Sequence, residues 1–269
     1  MLYATLGFSI MQGLIKQVSY IHVFQIIFFR SSITAIMSTG ILLKDHISLK
    51  GNNYKLLSMR VIFGLISMTL FFITIQRIPF GASLTLRYLA PLFAFILSFV
   101  FLKEKIKSIQ WLFFIMALIG VLLLKGFDSR IDNLSLWLSI LGAFFAGCVY
   151  VTIRKIGDTE HPLVIVNHFM VTAAILSGIF MVGTWTTPDI YELGLLLVIG
   201  TSGYIGQRYM TESFQLEETN IVAPLKYTEL IYAFLIGYLF FNESYDLLTC
   251  SGLVLLFLSF LLNFKYGTK

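Results

Sequence analysis

Four charged residues lie deep inside apolar stretches of this chain, where a charge is costly and usually faces a cavity or a partner. They are Arg30 within QIIFFRSS, Arg87 within LTLRYLAP, and Lys226 with Glu229 within APLKYTELIY. Three residues apart on a helix, Lys226 and Glu229 share a face and can pair. Three cations against one carboxylate suit a ligand that carries a carboxylate or a phosphate. Glu229 is then available to a ligand amine or a coupling proton. Each residue also has a plainer reading. Arg87, near a helix start, can snorkel to the membrane surface; Lys226 can simply neutralise Glu229; Arg30 can be an anchor bonded to neighbouring carbonyls. Tyr88 and Tyr227 follow the basic residues and suit an aromatic wall, although with 13 Tyr and 26 Phe ordinary packing is the commoner role. Gln12 and His168 are further polar candidates for the same site, whereas Gln25, Gln76, Asn167, Gln207 and Gln215 read as hydrogen-bonding glue between helices.

Other chemistry finds little support. His22, His46, His161 and His168 have no metal-ligand spacing, and neither HExxH nor CxxC occurs, so no metal and no cofactor is expected. Cys148 and Cys250 sit in apolar runs as small packing residues. A membrane-embedded enzyme would need a nucleophile with its base, a metal cluster or an acidic motif at one membrane depth, and the sequence offers none.

The elements that position these residues come as a repeat. Gln76–Glu104 aligns without a gap on Gln215–Glu243, an offset of 139 residues. In that register Gln76 matches Gln215, Arg87 matches Lys226, Tyr88 matches Tyr227, and Glu104 matches Glu243. Gly64 matches Gly203 and Lys16 matches Lys155, whereas Glu229 falls opposite Ala90. Glu104 and Glu243 end their runs and read as structural ends on opposite membrane faces, not as a catalytic pair. Pro91 and Pro224 remove backbone donors inside the fourth and ninth runs and predict kinks there.

A hydrophobic fraction of 58%, only 12% charged residues and a mean hydropathy of +0.87 exclude a soluble domain of 269 residues. Ten apolar runs have spanning length: Leu2–Tyr20, Val23–Leu43, Leu56–Ile75, Ala82–Leu102, Ile109–Leu124, Leu134–Ile153, Leu163–Val182, Ile190–Met210, Asn220–Phe241 and Leu247–Phe264. They are continuous rather than alternating, so helices and not barrel strands satisfy the backbone. The first run lacks a basic n-region and a small-residue cleavage site and reads as a retained helix that enters the membrane almost at Met1, as if a few polar residues preceded it. Of the Lys and Arg at helix ends, 12 lie on one side, Arg60, Lys103, Arg154 and Lys265 among them, and 4 on the other, namely Lys16, Arg77, Lys125 and Arg130. The richer side is cytoplasmic, which puts both termini inside. The expected fold is therefore an all-α, multi-pass protein of the cell (inner) membrane. Ten transmembrane helices form two inverted five-helix repeats, residues 1–127 and 132–265, with a break near Gly126–Asn133. The net charge of +5 belongs to helix ends and points to no nucleic acid. Small residues such as Gly142, Ala143, Ala146, Gly147, Gly200, Gly203 and Gly206 suit close packing within the chain, consistent with a monomer or a weak homodimer.

The segments GFSIMQGLIKQ, QIIFFRSS, IPFGASLTLRYLAPLFAFILSFVFLKE and TNIVAPLKYTELIYAFLIGYLFFNES resemble the drug/metabolite transporter superfamily, specifically its EamA-type ten-helix members. The resemblance covers essentially the whole chain. It implies an exporter or exchanger of amino acids, nucleotide derivatives, organic anions or other small metabolites, with a central cavity lined by both repeats. The opening segment with Lys16 and Arg30 is most similar to the branch of S-adenosylmethionine and organic-anion carriers. Glu229 departs from the family pattern, in which a small or apolar residue is common. The expected function is a secondary transporter of a small polar metabolite working by alternating access. The rival is a non-transporting scaffold or assembly subunit, which would not need matched basic residues in its two halves.

Overall fold

The computed structural model describes residues 1–78, 80–104, 107–125 and 132–241, together with 251, 252, 254, 255, 258, 259, 262 and 266. Helices account for the ordered elements, with no strand among the described residues. The first half contains α1 (Leu2–Gln17), α2 (Val23–Lys44), α3 (Tyr54–Arg77), α4 (Phe80–Arg87), α5 (Leu89–Leu97) with a π-turn at Ser98–Leu102, and α6 (Ser108–Lys125). The second contains α7 (Asn133–Ile156), α8 (Pro162–Met181), α9 (Ile190–Leu216), α10 (Thr219–Val222), a 3-10 segment at Ala223–Thr228, and α11 (Glu229–Phe241). These segments cover the first nine apolar runs of the sequence. The tenth run, the break at Gly126–Asn133, Glu243 and Cys250 lie wholly or largely outside the described residues. Among the described residues, five helical stretches are long and apolar enough to cross a membrane: Val23–Lys44, Tyr54–Arg77, Ala82–Leu102, Asn133–Thr159 and Pro162–Thr184.

The packing surface is inverted relative to a soluble protein. Ile36 is 71% and Phe240 75% exposed, whereas Gln12, Arg30, Arg60, Lys226 and Glu229 are buried. Lipid solvates the outer apolar side chains, so the polar groups turn inward. Several helix starts are capped locally. The His22 and His161 rings accept from the N–H groups of Phe24 and Leu163, and the Asp189 and Glu192 side chains form a capping box on α9. Asp132 caps α7, and the Ser135 hydroxyl and N–H beside it hold its carboxyl below the usual carboxylate range.

The offset of 139 residues recurs in the contacts. His22 and His161 are equivalent caps. Gln76 donates to the Ile21 carbonyl at 3.0 Å, and its counterpart Gln215 donates to the Glu160 carbonyl, the counterpart of Ile21, at 2.8 Å. α2 packs against α8, its own counterpart, while α3 against α7 repeats α9 against α1. Exchanging the halves therefore maps the packing onto itself. The small residues serve these crossings inside the chain. The Ser67 hydroxyl donates to the Gly142 carbonyl at 2.9 Å, and a Cβ at Gly147 would lie 2.8 Å from Phe93 Cβ.

Candidate functional site

Both sequence-predicted kinks occur, and both place charge at a broken helix. α4 and α5 part at Tyr88, directly after Arg87, where Pro91 cannot donate to the Arg87 carbonyl. In the second half Pro224 opens the 3-10 segment that carries Lys226 and Tyr227, and Glu229 begins α11. The two tyrosines meet across the halves with ring centroids 6.0 Å apart, and the Tyr227 hydroxyl lies 3.4 Å from the Tyr88 carbonyl.

A cavity with about 540 Å³ of empty space, part of it open to solvent, lies between the halves. Its walls include Arg30, Arg60, Arg87, Lys226, Gln12, Gln207, Tyr150 and Phe169, with methionines Met11, Met68 and Met210. Many of these are counterparts at the 139-residue offset: Met11 and Tyr150, Arg30 and Phe169, Met68 and Gln207, Phe71 and Met210, Arg87 and Lys226. The cavity thus sits where the two halves face each other. A smaller space beside it is lined by Arg87, Tyr88, Pro91, Tyr150, Lys226 and Glu229.

Lys226 and Glu229 form a buried ion pair, and the Gln12 amide donates to the other Glu229 oxygen at 2.7 Å. The Lys226 ammonium also lies 4.5 Å from the centroid of the Phe8 ring. Arg30 reaches the thioethers of Met11 at 3.2 Å and of Met68, and the Gln207 carbonyl oxygen at 3.5 Å. Its neighbours are therefore side chains, not the backbone carbonyls of the anchor reading. Arg87 does not snorkel outward. Its guanidinium stacks 4.0 Å from the Phe71 ring centroid, with Nη1 buried and without an acceptor.

Seven of the eight predicted site residues, Gln12, Arg30, Arg87, Tyr88, Lys226, Tyr227 and Glu229, come together at or beside this cavity. His168 does not join them. It is half-buried, with Nε2 3.1 Å from the Leu49 carbonyl and its ring edge-on to Tyr54, while the next residue, Phe169, faces the cavity. The sequence reading missed Arg60, which it counted among the cytoplasmic end charges. Arg60 is only 1% exposed, and its guanidinium lies 4.2 Å from the Phe169 ring centroid. Gly64 makes room for it, since a Cβ there would collide with the Arg60 guanidinium and lie 2.8 Å from Phe169. Gly203, the counterpart of Gly64, is the notch for Arg30, whose Nε would lie 3.2 Å from a Cβ. The Gly64–Gly203 match was the available signal. Glu104 keeps its structural reading, with Arg154 at 3.7 Å and the Thr219 N–H at 3.1 Å. Among the described residues no group of His, Cys, Asp and Glu could hold a metal ion.

Known proteins match along the full length. The model of the EamA-like transporter family matches residues 1–125 and 133–265. The pseudopaline exporter CntI of Pseudomonas aeruginosa is 29% identical, covering 94% of this chain and 90% of its own. An uncharacterised transporter of Helicobacter pylori is 26% identical over 97% of this chain and 92% of its own. The S-adenosylmethionine uptake transporter of Rickettsia prowazekii is 25% identical over 88% and 81%. A crystal structure with 15% identity superposes over 99% of each chain with a TM-score of 0.79, which speaks for the fold alone. With both halves matched, and full-length relatives that are transporters rather than enzymes, this multi-pass membrane protein belongs to the EamA-like transporter family of the drug/metabolite transporter superfamily.

Proposed function

We propose that the chain is a secondary transporter, an exporter or exchanger, that moves a small polar metabolite with acidic character by alternating access. The observation that carries this reading is the central cavity, whose charged walls come as counterpart side chains from both halves. Two similar halves can exchange conformations, and each exchange would turn the shared cavity from one face to the other. The broken helices at Tyr88 and Ala223–Thr228 support it, because discontinuous helices with freed backbone groups suit a site at mid-membrane. The relatives' cargoes, pseudopaline and S-adenosylmethionine, support a small metabolite as substrate. In this reading ten helices form two inverted repeats at residues 1–127 and 132–265 in the cell membrane, with both termini cytoplasmic. Removing Arg60 from the end charges leaves 11 against 4, so the positive-inside argument keeps its sign. Gln12, Arg30, Arg60, Arg87, Lys226 and Glu229 line the translocation path, and Glu229 is the candidate carrier of a coupling proton.

The test is counterflow into proteoliposomes holding the purified chain, with a panel of amino acids, organic acids, phosphorylated compounds and S-adenosylmethionine, with and without a pH gradient. The reading expects saturable exchange of at least one acidic compound that Lys226→Ala and Glu229→Gln abolish. Normal transport by both variants removes these residues from the path. No flux for any compound, with a specific membrane-protein partner recovered instead, would favour a scaffold.

A further inference from the structure

Within the cavity the charges do not balance. Glu229 is the one carboxylate among the residues lining the two neighbouring spaces, and Lys226 and Gln12 already occupy it. That pairing cancels Lys226 and leaves Arg30, Arg60 and Arg87 with no carboxylate partner among the described residues. Arginine stays protonated in proteins, so three positive charges remain. Each guanidinium lies near an aromatic ring: Arg60 at 4.2 Å from Phe169, Arg87 at 4.0 Å from Phe71 and Arg30 at 5.9 Å from Phe72. At Arg60 and Arg87 the ring covers the face of the guanidinium and leaves N–H edges for forked binding of a carboxylate or phosphate. Those edges are idle. Nε and Nη1 of Arg60, Nη1 of Arg87 and the amide nitrogen of Gln207 are buried without an acceptor. Arg30 meets mainly thioether sulfurs, which are weak acceptors. Buried charged donors left this way are unfavourable, and an occupant that supplies acceptors relieves that cost.

We propose that the cavity takes a ligand with at least two separate acidic groups, carboxylates or phosphates, one held by Arg60 and Arg30 with Gln207 and another by Arg87. The inference rests on the transporter reading above and gives its substrate class. A ligand with a single acid would leave two charges uncancelled in a low-dielectric site. Two or three acids bring the loaded cavity near neutrality, the condition under which it can be sealed from both aqueous phases. Lys226 is held back by Glu229, so the count is set by the arginines.

Thermal unfolding of the purified full-length chain in detergent, titrated at fixed ionic strength, tests this. Alanine and butyrate bring one carboxylate, glutarate and glutamate two, citrate three, and pyrophosphate supplies the phosphate arm. The expected result is an affinity at least about tenfold higher for the diacids or for pyrophosphate than for the monoacids. Arg60→Gln should lower diacid affinity by about tenfold or more, and Arg60→Lys should recover part of it. Equal affinity for monoacids and polyacids, or a preference for alanine, overturns the proposal. The unmodified chain's series decides this alone, so a variant that fails to fold changes nothing. The same compounds in counterflow separate the two readings. Polyacid binding with no exchange of any compound would remove the transport reading and leave the ligand class standing. Exchange of monoacids alone would keep transport and overturn the polyacid site.

Discussion

The Lys226–Glu229 pair is the one neutralised element of a positively charged cavity, and its energetics follow from burial. Lys226 is 6% and Glu229 2% exposed, so neither ion has water to fall back on. Removing one partner strands the other, which costs about 3 kcal/mol for a buried pair, whereas removing both leaves no stranded charge. Lys226→Met and Glu229→Met should therefore each lower the unfolding midpoint sharply, and the double variant should recover most of the loss. Simple addition of the two losses in the double variant would show that the pair is not coupled. Much of this site is legible in the sequence, because a charge inside an apolar run stands out: Arg30, Arg87, Lys226 and Glu229 are all visible that way. Arg60 is not. It lies near the start of α3, close behind Lys50 and Lys55, and looks like one more end charge until α8 brings Phe169 against it. His168 fails for a related reason. Successive residues on a helix point about 100° apart, and α8 is apolar all round, so its pattern does not say whether His168 or Phe169 faces inward.

At the level of elements, close approach depends on glycine at the α1–α9 crossing. A Cβ on Gly7 would sit 2.8 Å from the backbone nitrogen of Gly206, and one on Gly206 would sit 2.7 Å from the Phe8 ring. Backbone cannot yield as a side-chain tip can, so Gly7→Ala must push the helices apart and should cost about 2 kcal/mol. Gly40→Ala, with nothing within 4 Å of the added Cβ, is the control and should be neutral or slightly stabilising. Unfolding midpoints of the two purified variants check the contrast, and equal effects would mean that the crossing is loose. Because α1 carries Gln12 to Glu229, the Gly7 variant should also weaken ligand binding. The runs themselves and their two breaks are readable from hydropathy and from Pro91 and Pro224. The form of the breaks is not. That one becomes a single interrupted turn at Tyr88 and the other six residues of 3-10 helix depends on how each packs against the opposite half.

For the whole molecule, the two halves are clasped at both ends of α2. At the end where α2 finishes, the buried Glu160 carboxylate accepts from the Asn52 and Asn53 N–H groups that precede α3, and Asn52 also donates to the Thr159 carbonyl at 3.1 Å. At the end where α2 begins, Tyr20 donates to Glu192 at 2.6 Å and Gln17 reaches Tyr191 at 3.2 Å, beside the start of α9. The two clasps sit at matching places, since Glu192 is the counterpart of Asn53 and Glu160 follows the counterpart of Tyr20 by one residue. Their chemistry differs, one a buried carboxylate on backbone donors and the other an exposed phenol–carboxylate bond. If the halves rock about the shared cavity, each clasp must open in turn and neither can stay shut through a cycle. Asn52, Thr159, Gln17 and Tyr191 are all exposed, so cysteines there are open to reagents. In a background with Cys148 and Cys250 replaced by Ser, a short bismaleimide across Asn52→Cys and Thr159→Cys should stop net flux. The same bridge across Gln17→Cys and Tyr191→Cys should stop it too. Ligand binding should persist in at least one bridged form, because only the exchange between faces is blocked. Undiminished flux through either bridged pair would rule out separation of the halves at that end as the transport motion.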